Sequence, residues 1–147
     1  MSVIHVARKP LIHINDSTSQ RMWLVSFMAM LVIIQSALTD NYASFIVALV
    51  ALFSAVFMEL AINGARGTFT LRDGSAVTTA LILALLMPNG VNPVIVALGT
   101  IFAIGIVKHA YGGLGTNWLN PALGGWLFVN ASWPKSFDKA LDGSVLH

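Results

Sequence analysis

Cysteine is absent from this chain. That excludes disulfides, thiolate metal sites and iron–sulfur clusters ligated by the chain itself. Charge is almost as scarce: charged residues make up 10% of the 147, six acids and eight bases, against about 25% in a soluble domain. So few charges cannot coat a soluble globule, and an ordinary cytosolic enzyme and a disordered chain are both excluded. The pI near 9.3 reflects the shortage of acids, because the net charge is only +2. Nucleic acid is therefore not an expected partner. HExxH, P-loop, GxSxG and dinucleotide-type GxGxxG motifs are all missing, and the four histidines are too scattered to form a metal set. What is present is apolar: 56% of the residues, with a mean hydropathy of +0.79. That composition and length point to a single all-α integral membrane domain.

About five hydrophobic segments follow a polar stretch over residues 1–21, and a polar tail over 135–147 closes the chain. The membrane region spans 22–134. Ser17 and Gln20 have capping-box spacing, so a helix is expected to start there. Met22 to Leu38 is the first span, with Trp23 where an interfacial aromatic belongs. It starts late for a signal peptide and reads as a retained anchor. Tyr42 to Ile62 is the second. Ser75 to Met87 is apolar but short, and Pro88 ends it; Pro93 to Val107 is the next, closed by Lys108 and His109; Pro121 to Trp133 is short again, ended by Pro134. The two short segments would each give about 20 Å of helix against roughly 30 Å of hydrocarbon. Asp73 and Ser75 offer capping chemistry for the first, and Asn120-Pro121 for the second. Short, Gly/Pro-interrupted apolar segments of this kind mark broken or half-helices that build a site inside the membrane.

Bases set the orientation. Arg8, Lys9 and Arg21 precede the first span, Arg66 and Arg72 follow the second, and Lys108 follows the fourth, whereas 39–41 and 88–92 carry none. The N-terminus is expected in the cytoplasm and the tail outside. Half-helices leave polar backbone ends at membrane depth, which is tolerated only inside protein or against water. An obligate partner is therefore expected, besides the surrounding lipid.

Tyr111 to Pro121 (YGGLGTNWLNP) holds most of the candidate chemistry. Gly112, Gly113 and Gly115 let backbone approach a ligand closely. Asn117 and Asn120 each offer amide donors and a carbonyl acceptor, Trp118 can stack on a planar ring, and the helix beginning at Pro121 presents its positive end. These suit a neutral or anionic heteroaromatic ligand with polar edges; the same residues also suit a glycine-rich hinge with an N-cap. Ser75, Thr78 and Thr79 share one helix face. They either line a ligand or ion path or bond to carbonyls one turn back. Glu59 is the one acid inside an apolar run; being about one turn from the loop, it is read as snorkelling or pairing with Arg66. Lys108 and His109 are read as complements to a helix dipole. Ala51 with Ala55, and Gly99 with Ala103, have the small-xxx-small spacing of helix packing.

DGSAVTTALILALLMP, FAIGIVKHAYGGLGTNWLNPAL and SWP, with Pro10, His13 and Arg21-Met22 ahead of the first helix, resemble the membrane D subunit of the Rnf electron-transport complex. They also resemble the homologous B subunit of the sodium-translocating NADH:quinone oxidoreductase. The resemblance covers nearly the whole chain, and its YGGLG-x-N-x-x-NPA block is long and specific. It implies an inverted-repeat fold of about ten helices in two halves, of which this chain resembles the first. It also implies a bacterial or archaeal cytoplasmic (inner) membrane, a flavin-dependent and ion-translocating complex, and other membrane subunits, a C-terminal half or a second copy as partners. A riboflavin lies near an asparagine pair in that family, matched here by Asn117 and Asn120, so Gly112, Gly113, Gly115, Asn117, Trp118, Asn120, Ser75 and Thr78 become the candidate cofactor-binding residues. The family's FMN, esterified to a threonine in a motif after the SWP region, has no counterpart, since no threonine follows Thr116. A noncovalent riboflavin or FMN is the expected cofactor. The competing readings are a small solute transporter or channel half, and a structural membrane subunit without cofactor.

Overall fold

A computed structural model describes residues 17–39, 42–67, 71–110 and 119–141, and every regular element among them is helical. Helix α1 (Thr18–Thr39) opens on the expected capping box. Ser17 N–H donates to Gln20 Oε1 at 3.0 Å and Gln20 N–H to Ser17 Oγ at 3.2 Å, so two orphan donors are satisfied reciprocally. Helix α2 (Ala43–Arg66) follows. At 22 and 24 residues, these two helices measure about 33 and 36 Å, enough to cross a bilayer.

Both long helices bury only a narrow stripe. On α1 it is Ser26, Ala29, Ile33 and Ala37; on α2 it is Val47, Ala48, Ala51, Ala55, Glu59 and Asn63. The remaining apolar surface faces outward, with Leu24 and Phe27 at 62% exposure and Phe53 at 74%. Contiguous apolar faces of this extent are unstable in water, and hydrocarbon is the solvent they fit. The chain is an integral membrane protein.

A 3₁₀ turn (Leu71–Asp73) leads into α3 (Ser75–Leu86). This helix is apolar all round, the pattern of a buried helix, and it packs against α1, α2 and α5. Ala80, Leu81 and Leu83 are almost fully enclosed. Its start corrects the expected cap. The N-cap position is Gly74 at φ 69°, with no side-chain cap. The Trp23 indole packs so closely on Gly74 that a Cβ there would lie 3.0 Å from the ring. Only glycine meets both demands, which leaves Ser75 as the first helical residue.

Helix α4 (Pro93–Phe102) starts on an Asn-Pro cap, with Val94 N–H donating to Asn92 Oδ1 at 2.9 Å. It runs on as a π-helical stretch, Ala103–Lys108, and His109 N–H reaches back to Ile104 O. Helix α5 (Pro121–Ser132) crosses α4 at the expected small residues. A Cβ on Gly125 would lie 2.7 Å from Gly99 O and 2.9 Å from Ala103 Cβ, so the two backbones touch. Phe102 and Phe128 stack beside this crossing with centroids 4.2 Å apart.

The expected polar tail from 135 contains further structure. Pro134 ends α5 and also opens α6 (Pro134–Leu141), whose Phe137 is buried edge-on against Trp126 at 6.0 Å. The five apolar segments thus form as expected, within a few residues of their expected bounds.

Candidate functional site

The helices alternate in direction, so the beginnings of α1, α3 and α5 and the ends of α2 and α4 lie at one end of the bundle. Contacts between remote residues fix this arrangement. Ser19 Oγ donates to Arg72 O at 3.2 Å, and Arg66 Nη2 donates to His109 O at 3.1 Å. At the opposite end, Ser36 and Ser44 hydroxyls meet at 2.7 Å and Ser44 donates to Asn89 Oδ1 at 2.7 Å. This cluster ties the α1–α2 connection to the end of α3 and borders a small cavity of about 210 Å³.

The first end holds a larger cavity of about 510 Å³, walled by Met22 and Val25 of α1, Ser75, Thr78 and Thr79 of α3, Lys108, and Asn120 and Pro121 of α5. Its size is in the range that takes a drug-sized or cofactor-sized molecule. Three sequence-derived candidates, Ser75, Thr78 and Asn120, therefore meet across the fold in one wall. Gly112, Gly113, Gly115, Asn117 and Trp118 lie outside the described residues.

The hydroxyls divide into two kinds. Thr79 Oγ1 donates to Ser75 O at 2.8 Å, one turn back. Thr78 Oγ1 lies 3.0 Å from Gly74 O, 3.1 Å from Met22 O and 2.8 Å from Ser26 Oγ. One hydroxyl proton serves one carbonyl at a time, so Thr78 shares its donation between them and takes the Ser26 proton as acceptor. This knot stitches α3 to α1. Ser75 is different: its Oγ is buried and has no hydrogen-bond partner among the described residues. A buried hydroxyl without a partner costs roughly 1–3 kcal/mol, and a ligand acceptor or donor in the cavity would remove that cost. Asn120 uses Oδ1 to cap α5, accepting from Ala122 N–H at 3.0 Å. Its amide N–H₂ group remains available to a molecule in the cavity, because the cap engages only the oxygen.

The charged group beside this cavity revises the reading of Glu59. That residue is 0% exposed and neither snorkels nor pairs with Arg66. Its Oε1 lies 2.8 Å from Lys108 Nζ and its Oε2 lies 2.8 Å from His109 Nε2. A buried carboxylate is tolerable only when both oxygens are answered, and here they are. The physical reason is the stripe on α2. Glu59 follows Ala51 and Ala55 at intervals of four, so it faces inward with them. Consecutive residues of an α-helix do not face one partner. Lys108 ends the π stretch and His109 caps it, so the two side chains reach separate oxygens of Glu59, and π turns frequently occur at functional sites. Lys108 and His109 thus escaped the sequence reading as functional residues. The missed signal was topological: with alternating helices, the late part of α2 and the end of α4 share one end of the bundle.

The positive ends of α3 and α5 and the residue Lys108 all border the same space. An acceptor-rich or anionic edge is therefore the favoured occupant. Among the described residues no group of three His, Cys, Asp or Glu could hold a metal ion.

Residues 5–143 match the family described as NQR2, RnfD, RnfE. Among curated proteins, the chain is 41% identical to the D subunit of the ion-translocating oxidoreductase complex of Shewanella denitrificans over 105 residues, 69% of this chain and 30% of that protein. It is 31% identical to the D subunit of the proton-translocating ferredoxin:NAD(+) oxidoreductase complex of Clostridium ljungdahlii over 134 residues, 90% of this chain and 40% of that protein. It is 35% identical to the D subunit of the ion-translocating oxidoreductase complex of Yersinia pseudotuberculosis over 134 residues, 89% of this chain and 38% of that protein. The chain thus spans between 30% and 40% of the length of these relatives.

Proposed function

This chain belongs to the NQR2, RnfD, RnfE family, and we propose on that footing that it is part of a membrane subunit of an ion-translocating electron-transport complex of the Rnf/Nqr type. It sits in the bacterial inner membrane as a multi-pass protein, with its N-terminus in the cytoplasm, and it forms one half of an inverted-repeat arrangement. Its partners are the complementary half and other membrane subunits of the complex. Its role is to carry electrons through a noncovalently bound flavin, riboflavin or FMN, and not to catalyse a reaction alone.

The observation that carries the flavin reading is the cavity between the two short helices, with the buried Ser75 Oγ, unpartnered among the described residues, in its wall. A flavin's ring edge carries carbonyl acceptors and an N–H, which complement a hydroxyl, an asparagine amide and two helix N-termini. The residues present therefore fit the group. Ser75 and Asn120 would hold its polar edge, Thr78 would fix the α3 wall against α1, and Gly112, Gly113, Gly115, Asn117 and Trp118 would complete the set. When bound, the flavin supplies the redox chemistry; the chain supplies orientation, hydrogen bonds and exclusion of water.

The test is the visible spectrum of the assembly purified from membranes, followed by the same measurement on Asn117→Leu. Flavin absorbance is expected in the wild type, retained after gel filtration, and a roughly 5- to 150-fold weaker retention in the variant, from a lost hydrogen bond of about 1–3 kcal/mol. A wild-type assembly with no flavin in this chain would sink the proposal.

A further inference from the structure

Lys108 is 2% exposed, yet it forms part of the cavity wall beside Ser75 and Asn120. Glu59, which binds it, is not among the residues of that wall, and its second oxygen is held by His109. A purely structural clamp between α2 and α4 needs no contact with a cavity. This one includes a residue that lines the cavity where two helices begin, beside the buried Ser75 hydroxyl.

We propose that Lys108 recognises the ligand edge that carries negative charge, or gathers it on reduction, and that Glu59 and His109 are positioning residues that hold the ammonium there. The inference rests on the flavin reading above. It deepens that reading by assigning a task to a residue that the asparagine and glycine motif does not contain. A cation beside the ring favours the electron-rich reduced state over the oxidised one, because it stabilises the added charge more than it stabilises the neutral ring. Neutral hydrogen-bond donors such as Ser75 and Asn120 contribute binding, while Lys108 additionally sets the redox poise.

The deciding measurement is the flavin midpoint potential in the purified assembly, with bound-flavin content taken alongside. Lys108→Met is expected to lower the preference for the reduced form about tenfold, a negative shift of about 30 mV for a two-electron couple. Glu59→Gln, which removes the opposing charge, is expected to shift the potential the other way. The double variant Glu59→Gln/Lys108→Met leaves no unanswered buried charge, and it is expected to keep a smaller negative shift, since Lys108 and not Glu59 lines the cavity. Should Lys108→Met fail to accumulate, the double variant decides. Shifts of the same sign in both single variants, or an unmoved potential with full flavin in the double variant, would overturn the inference and leave the flavin site standing. A wild-type assembly without flavin would instead remove the reading on which it rests.

Discussion

Helices α3 and α5 have the same length, 12 residues, and begin at the same cavity, but different forces start them. Helix α5 is started locally. Asn120 caps it, Pro121 supplies a first residue whose φ is already helical, and both devices sit within three positions of sequence. Helix α3 is started by its neighbours. Gly74 holds a left-handed conformation under the Trp23 ring, and Thr78 is tied to Met22 and Ser26 on α1. Their packing differs as well: α3 is largely enclosed until Leu85 and Leu86 at its end, whereas α5 is seated through two glycines, Gly125 on Gly99 and Gly124 on Val107.

That contrast is broken most severely at the crossing. Gly125→Ala would put a Cβ 2.7 Å from the Gly99 carbonyl oxygen and 2.9 Å from the rigid Ala103 Cβ, with no flexible side chain to yield. The helices must separate. A loss of about 3 kcal/mol is expected, at the upper end for overpacking, visible as the largest drop in melting temperature in detergent among the variants discussed. An unchanged melting temperature would show that α5 is held by its cap and not by its crossing.

A smaller effect is expected at the α3 knot. Thr78→Val keeps the shape but removes the hydroxyl that accepts from Ser26. The Ser26 hydroxyl is then buried without its partner, for a cost of roughly 1–3 kcal/mol. The double variant Thr78→Val/Ser26→Ala should recover much of the loss, because two apolar groups leave nothing unsatisfied. No recovery in thermal denaturation of the double variant would mean that the carbonyls of Gly74 and Met22, and not the α1–α3 link, carry the effect.

The same division explains what could be read in advance. The Ser17–Gln20 box, the Asn120-Pro121 start and the Gly99/Ala103 packing seam each depend on residues within a few positions, and each forms as the sequence implies. Ser75 and Thr78 were also legible as site candidates, since their spacing fixes a common face. What remained hidden was set by tertiary contact. Asp73 and Ser75 have capping side chains, but Trp23 lies on the residue between them and selects Gly74 as the cap. Glu59 looked close to solvent by its distance from the loop, while its four-residue register with Ala51 and Ala55 turned it inward. The Lys108–Glu59–His109 cluster joins α2 to the end of a π stretch that leaves no mark in hydrophobic periodicity.

The subtlest test separates the two tasks of Asn120. Its Oδ1 caps α5, and its amide N–H₂ group is available to the cavity. Asn120→Ala removes both and should cost about 1 kcal/mol of helix stability together with flavin retention. Asn120→Asp removes only one. Aspartate caps as well as asparagine and complements the helix N-terminus with its charge, so stability should stay within a few tenths of a kcal/mol. Yet the carboxylate donates no hydrogen bond, and it brings a negative charge to a wall suited to acceptors. Flavin retention should therefore fall at least as far in Asn120→Asp as in Asn120→Ala, while the melting temperature of the flavin-free protein falls only in the alanine variant. Equal flavin content in wild type and Asn120→Asp would show that Asn120 serves α5 alone, and that the two short helices share a cavity without sharing its ligand.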